Sequence, residues 1–161
     1  MSYSRLQVWL HWTIAALVIF QLLVNDGMSD AWNAREDGEP LGDDAAWAYL
    51  HIAVGVSVLL LSIVRVWARL TRGAPPVHRD KPAPLVWIAY ATHALLYGFI
   101  FFMPLAGAIA WFGLQDWSAD AHEAGRTILI PLILLHVAGA LGEHFVFRND
   151  TLVRMLKPRS G

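Results

Sequence analysis

Four long apolar stretches separated by polar ones set the pattern of this chain. They run from Leu6 to about Val24, from Ala46 to about Val66 with the helix carrying on to about residue 70, from Leu85 to about Phe112, and from about Ala119 or Ile128 to Phe147. Each is long enough to cross a hydrocarbon layer of about 30 Å as an α-helix. The pattern predicts an all-α fold, an integral-membrane four-helix bundle with helices at about 6–24, 46–70, 85–112 and 119–147, forming one unit over residues 1–161. The polar stretches, such as DGMSDAWNAREDGEPLGDD, are rich in Gly, Pro and Asp and read as connecting loops. The middle one, TRGAPPVHRDKPAP, holds four prolines, which favour an extended connector and stop both flanking helices. In the fourth helix Ser118 is a candidate N-cap, and Asp120 and Glu123 suit the positive end of the helix dipole, so the helical period already includes His122.

Composition strengthens the membrane reading. A mean hydropathy of +0.45 with 57% hydrophobic residues is too apolar for an ordinary soluble domain of 161 residues. The medium it points to is lipid, not nucleic acid. The first apolar stretch has no small-residue cleavage site before the acidic segment that follows, so it is expected to be a retained helix and not a signal peptide. With no cysteine, the chain has no disulfides, no thiolate metal sites and no covalent haem attachment.

Charge gives the bundle two unlike ends. Arg5, Arg65, Arg69, Arg72, Arg79, Lys81, Arg148, Arg154, Lys157 and Arg159 precede the first helix, flank the middle loop or follow the fourth helix, whereas Arg35 and Arg126 alone lie in the other two connections. The positive-inside rule then predicts a multi-pass membrane protein with both termini and the middle loop cytoplasmic. The first outer loop carries Asp26, Asp30, Glu36, Asp37, Glu39, Asp43 and Asp44, an asymmetry hidden by the net charge of −1.

The histidines carry the candidate chemistry. His122 and His136 are fourteen residues apart, and at ~100° and ~1.5 Å per residue their imidazoles leave one helix face some 21 Å apart. His11 lies a turn or more into the cytoplasmic end of the first helix, and His51 about as far into the outer end of the second. Matching depths pair His51 with His122 and His11 with His136. Two neutral imidazoles on opposite faces of one iron give a six-coordinate b-type haem suited to electron transfer. Gly55, four residues after His51, and Gly139, three after His136, would open flat slots beside the rings. Close helix packing explains the small residues equally well, and any single intramembrane histidine is explained equally by an interhelical hydrogen bond.

Other residues are weaker candidates. Leu96 and Tyr97 would crowd a porphyrin at His93, which suits a hydrogen bond to a propionate, a quinone or a neighbouring helix better than axial ligation. His144 could replace His136 only at a spacing of ~33 Å from His122, and His78 falls among loop prolines. Arg5, Arg65 and Arg69 lie where haem propionates or a quinone carbonyl need donors, although the positive-inside rule accounts for them too. Trp9, Trp12, Trp47, Trp67, Trp87, Trp111 and Trp117 fall mostly near helix ends, as an interfacial aromatic belt requires, and Pro104 should kink the third apolar helix.

The stretches YSRLQVWLHW, LHIAVGVSVLLLSIVRVWARL, HEAGRTILIPLILLH and RNDTLVRM resemble those of bacterial cytochrome b561, small four-helix di-haem proteins related to the cytochrome b subunits of nickel-iron hydrogenases. The resemblance implies two haem b groups with axial ligands His11, His51, His122 and His136, and ubiquinone as electron acceptor. One branch of that family oxidises superoxide and passes the electron to ubiquinone, and the compact length of this chain is similar to that branch. Superoxide is an anion, and the acidic outer loop repels it unless a local cation intervenes. Arg126, one turn beyond His122, is the candidate for that catalytic role, and otherwise a surface residue or propionate partner. The alternatives are an electron relay or anchor whose acidic outer face docks a separate dehydrogenase, hydrogenase or basic donor protein, and a haem-free bundle with structural histidines.

Overall fold

The computed structural model describes residues 3–24, 27–73, 75 and 82–157. The expectations for Asp26, His78, Arg79, Lys81 and Arg159 lie outside them. The described chain forms α1 (Arg5–Leu23), α2 (Met28–Glu36), a single 3-10 turn (Gly42–Asp44), α3 (Ala45–Arg72), α4 (Ala83–Gly113), α5 (Asp116–Phe145) and α6 (Thr151–Leu156). Of these, α1, α3, α4 and α5 are long and apolar enough to span a membrane.

The bundle is apolar on the outside, as a lipid environment requires, and its interior mixes small and polar residues with larger apolar ones such as Ile14, Trp111 and Leu132. Trp87, Leu134 and Leu70 stand exposed, whereas Ala48, Ala68, Ala106, Ala110, Ser62, Thr92 and Ser118 are buried. Lipid gives no hydrophobic drive between helices, so small side chains that let backbones approach do the packing. At Gly125 of α5 even a methyl group would fall 2.6 Å from Met103 Sδ and 3.1 Å from Phe102 Cε1 of α4. Two backbone pairs run closest, α4 with α5 and α1 with α3, and α3 also packs along α4.

Local chemistry sets the helix ends. Ser4 caps α1 in a reciprocal box, with the Gln7 N–H donating to Ser4 Oγ (3.3 Å) and the Ser4 N–H donating to Gln7 Oε1 (2.9 Å). The buried Gln7 amide then donates to Gly73 O (2.8 Å), tying the start of α1 to the end of α3. α4 opens after Pro82 and closes at Leu114, which takes a left-handed conformation (φ 49°) to reverse the chain into α5. Pro104 in α4 and Pro131 in α5 lie inside helices that continue through them.

The structure departs from three expectations. Residues 28–36 are helix and not loop, because Met28, Ala31, Trp32 and Arg35 recur at the spacing of one helix face, and that face packs on Ala48, Ile52 and Trp111. α5 begins at Asp116, not Ala119 or Ile128, with Gln115 as its N-cap. Ser118 therefore lies inside the helix, where its buried hydroxyl donates to Ala106 O of α4 (2.8 Å) in place of capping. Beyond the four spans, the short α6 docks on α1 through Trp12 Nε1 donating to Met155 O (2.8 Å).

Candidate functional site

The four paired histidines sit on three helices, α1, α3 and α5, and their rings meet in two places. His51 and His122 have ring centroids 6.1 Å apart at 69°, toward the α2 end of the bundle. His11 and His136 have centroids 6.2 Å apart at 73°, toward the α6 end. Metal–imidazole bonds of about 2 Å, with the ring centre ~1.1 Å beyond each nitrogen, put two rings on opposite sides of one metal about 6 Å apart. Both separations match that figure. Among the described residues α5 approaches the backbones of α1 and α3 far less than that of α4, even though its imidazoles meet theirs.

Each ring is held by its surroundings. His122 Nδ1 donates to Met103 O (2.9 Å), which leaves Nε2 with the lone pair a metal would need, the usual supporting bond of a metal-bound histidine. The ring lies flat against Gly107, where an added Cβ would be 3.1 Å from His122 Cε1. His51 is fixed through its backbone, because Gln21 Nε2 donates to His51 O (2.8 Å), and its buried Nδ1 has no protein partner. Gln21 also lies beside Gly55, with Nε2 3.5 Å from the point a methyl group on that glycine would occupy, so this amide fills part of the space expected to be a slot. At Gly139, which is exposed, nothing lies within 4 Å of the corresponding point, so the position is open to a bound group although the protein does not enclose it.

Met103, Gly107 and Gln21 act as positioning residues that sequence reasoning misses. Gly107, one turn before Trp111 on α4, is the one available signal for a close ring contact. The α6 end also holds a third imidazole, because the His93 ring is 5.1 Å from that of His136 at 90°. His93 Nδ1 donates to Ala89 O of its own helix (2.6 Å), which leaves Nε2 for a propionate, a quinone or a neighbouring helix. His144 stacks edge-on with Phe145, and its buried Nδ1 has no partner.

The arginines fall at both ends. Arg65 Nη1 donates to Gln7 O (3.0 Å), one turn from His11, and the Arg69 guanidinium lies 5.8 Å from the Tyr97 ring centre. Arg5 begins α1 at the same end. Arg126, one turn beyond His122, is half-buried with Nε unpartnered. The paired imidazoles, an orphaned ring nitrogen and an open position at Gly139 fit a flat porphyrin whose iron takes two nitrogen ligands.

A membrane bundle of four apolar helices with opposed imidazoles inside defines a cytochrome b type of protein. Residues 2–158 match the prokaryotic cytochrome b561 family, and the chain belongs to it. It is accordingly a multi-pass bacterial membrane protein that binds b-type haem and takes part in electron transport. It is 37% identical over 159 residues to cytochrome b562 of Cereibacter sphaeroides, covering 98% of this chain and 97% of the relative. It is 27% identical over 184 aligned positions to a protein of Yersinia pestis named probable superoxide oxidase CybB, covering 99% of this chain and 98% of that one.

Proposed function

We propose that the chain holds two b haems, one between His51 and His122 and one between His11 and His136, and moves single electrons through them to the quinone pool. The observation that carries this reading is the pair of ring separations, 6.1 and 6.2 Å, at two levels of one bundle. A bound haem would supply a reversible one-electron change at an iron held by one imidazole pair. Met103 O holds the His122 proton on Nδ1 and leaves Nε2 free to bind iron, while Gly107 makes room for the His122 ring itself and Gly139 leaves open space near His136. Gln21 sets the height of His51 along α3. Arg65, with one N–H on Gln7 O, supports a propionate or a quinone carbonyl with its other donors, and Arg5 and Arg69 extend the same cationic end. We place that end on the cytoplasmic side and α2 on the outer side, following the distribution of Lys and Arg.

Superoxide is the first donor to test, supported by the name of the Yersinia relative and by Arg126 beside His122. A second reading, a relay that docks a basic donor protein, is favoured by charge. Segments 24–44 and 114–126 carry Asp26, Asp30, Glu36, Asp37, Glu39, Asp43, Asp44, Asp116, Asp120 and Glu123 against Arg35 and Arg126, so 10 carboxylates face 2 cations for a formal −8.

The test is a pyridine haemochrome assay and a reduced-minus-oxidised spectrum on detergent-purified protein, followed by superoxide with and without ubiquinone. Two b haems per chain that superoxide reduces and ubiquinone reoxidises support the full reading. Two haems inert to superoxide but reoxidised by quinone leave the relay. Alanine at His51 or His122 should cost one haem, and alanine at His11 or His136 the other; retention of both haems in all four variants would sink the ligand assignment.

A further inference from the structure

The helix α2 has no role in the reading above, yet it packs on residues that neighbour one of the two imidazole pairs. Its inner face presents Met28, Ala31, Trp32 and Arg35. Ala31 is fully buried in a cluster with Ala48 and Trp111, and Ile52 packs against the same cluster. These contacts are adjacent to the site on both sides. Ala48 lies one turn before His51 on α3 and Ile52 follows it, while Trp111 lies one turn beyond Gly107, the glycine that touches His122.

Arg35 fastens this helix to the rest. Its Nε donates to Trp111 O (2.9 Å), and its guanidinium lies 4.9 Å from the Trp111 ring centre. Trp111 O belongs to the last turn of α4, where carbonyls lack an intrahelical donor, so a cation from α2 satisfies a group that the helix cannot. The cost to α2 is its one cation, turned inward, while Asp30, Glu36 and Asp37 stay exposed on the outside.

We infer that α2 is a cap closed over the His51–His122 pair, that Arg35 is the positioning residue that holds it shut, and that α2 thereby decides which electron donors reach this pair. Small hydrophilic donors, superoxide among them, meet a closed, acidic roof, so the cap favours the relay reading over superoxide as donor. A docked protein donor can deliver its electron across the cap without opening it. The inference rests on the reading of His51–His122 as a haem site, and its first readout does not depend on haem.

The chain contains no cysteine, so Ala31→Cys introduces a single thiol under the cap. A water-soluble maleimide should label it slowly in the full-length protein, and Arg35→Ala should raise the labelling rate about tenfold or more, since it removes a charge-assisted hydrogen bond and a cation–π contact from the closed state. Trp111→Leu keeps the carbonyl, removes the ring and should give a smaller increase. It serves as the second variant if Arg35→Ala does not accumulate. Hexaammineruthenium(II) is then used as a small hydrophilic reductant that an acidic surface does not repel, so the barrier it meets is steric. It should reduce the haem at His51–His122 faster in the opened variants, with haem content unchanged. Unchanged labelling in both variants overturns the clamp. Faster labelling with an unchanged reduction rate overturns the control of access. A haem content unaffected by His51→Ala and His122→Ala would instead defeat the underlying haem assignment, a separate result from either.

Discussion

Gly107 is where a single methyl group tests the site most sharply. A Cβ there would lie 3.1 Å from His122 Cε1 and 3.2 Å from Nδ1, against a favourable carbon contact of about 3.5–4.0 Å. The ring has to retreat by about 0.4 Å or more. That retreat stretches the 2.9 Å bond from Nδ1 to Met103 O to about 3.3 Å, beyond the usual N–H···O range. Passed to Nε2, the same shift is about a fifth of a ~2 Å metal–nitrogen bond. Elsewhere Gly→Ala inside a helix stabilises by ~0.5–1 kcal/mol, so the fold and the site should move in opposite directions. Gly107→Ala should retain its thermal stability in detergent but, on the proposed two-haem reading, show one haem with a shifted low-spin signal in electron paramagnetic resonance. Gly107→Val, with two further methyl groups, should leave that haem high-spin or absent. Gly98→Ala is the control, because nothing lies within 4 Å of its added methyl, and it should change neither haem. Two unaltered low-spin haems in Gly107→Val would refute the placement of His122 at an iron.

At Gly139 the protein itself offers no obstacle, so Gly139→Leu should leave helix content intact and lower occupancy of the haem at His11–His136; full occupancy by haemochrome assay would show that no porphyrin uses that slot. Ser118→Ala removes a buried interhelical bond to Ala106 O and should cost about 1 kcal/mol, read as a lower melting temperature with both spectra unchanged. Arg126→Gln removes a cation one turn from His122. At a separation near 10 Å and an effective dielectric of ~20 that charge is worth up to ~2 kcal/mol, and half-burial reduces it to the order of 1 kcal/mol. The haem at that end should therefore fall in potential by about 40 mV in a redox titration, while the other stays within error.

The spanning helices are legible in the sequence because lipid demands long unbroken apolar runs, and no competing signal interrupts them in this chain. The meeting of His51 with His122 and of His11 with His136 is also legible, since depth along a straight helix is a matter of counting residues at a fixed rise. What the sequence conceals depends on how helices face one another. Met103 O and Gly107 matter only because α4 and α5 pack in one register, which Gly125 and Ser118 enforce from the opposite helix. α2 is hidden because its Asp and Glu content resembles a loop, although Met28, Ala31, Trp32 and Arg35 spell one face of a helix. The bond from His93 Nδ1 to Ala89 O is likewise concealed, because it depends on the rotamer the ring takes on α4 and not on its neighbours in sequence.

The polar contacts divide the bundle into two halves. α1 and α3 are joined by Gln7 to Gly73 O, Arg65 to Gln7 O and Gln21 to His51 O. α4 and α5 are joined by Ser118 to Ala106 O and His122 to Met103 O. Between the halves, the polar and cation–π contacts described among these residues lie near the ends: Arg35 on Trp111, Trp12 on Met155 O, and Arg69 over Tyr97. Of the polar contacts set out here, the imidazole pairs cross the interior, each with one ring from either half, beside the apolar packing of α3 along α4. A ligand bonded to both rings of a pair therefore links the halves as well as carrying electrons, and by mass action it stabilises only the assembled bundle. Haem removal should accordingly loosen the contact between α1/α3 and α4/α5 while leaving each half intact. Hydrogen exchange on haem-depleted protein reads this directly. Amides at the faces of α3 and α5 that carry His51 and His122 should exchange faster, and those along the α4–α5 contact near Ser118 and Gly125 should keep their protection. Equal loss of protection in both places would show that the bundle unfolds as one unit and that the haems do not bridge separable halves.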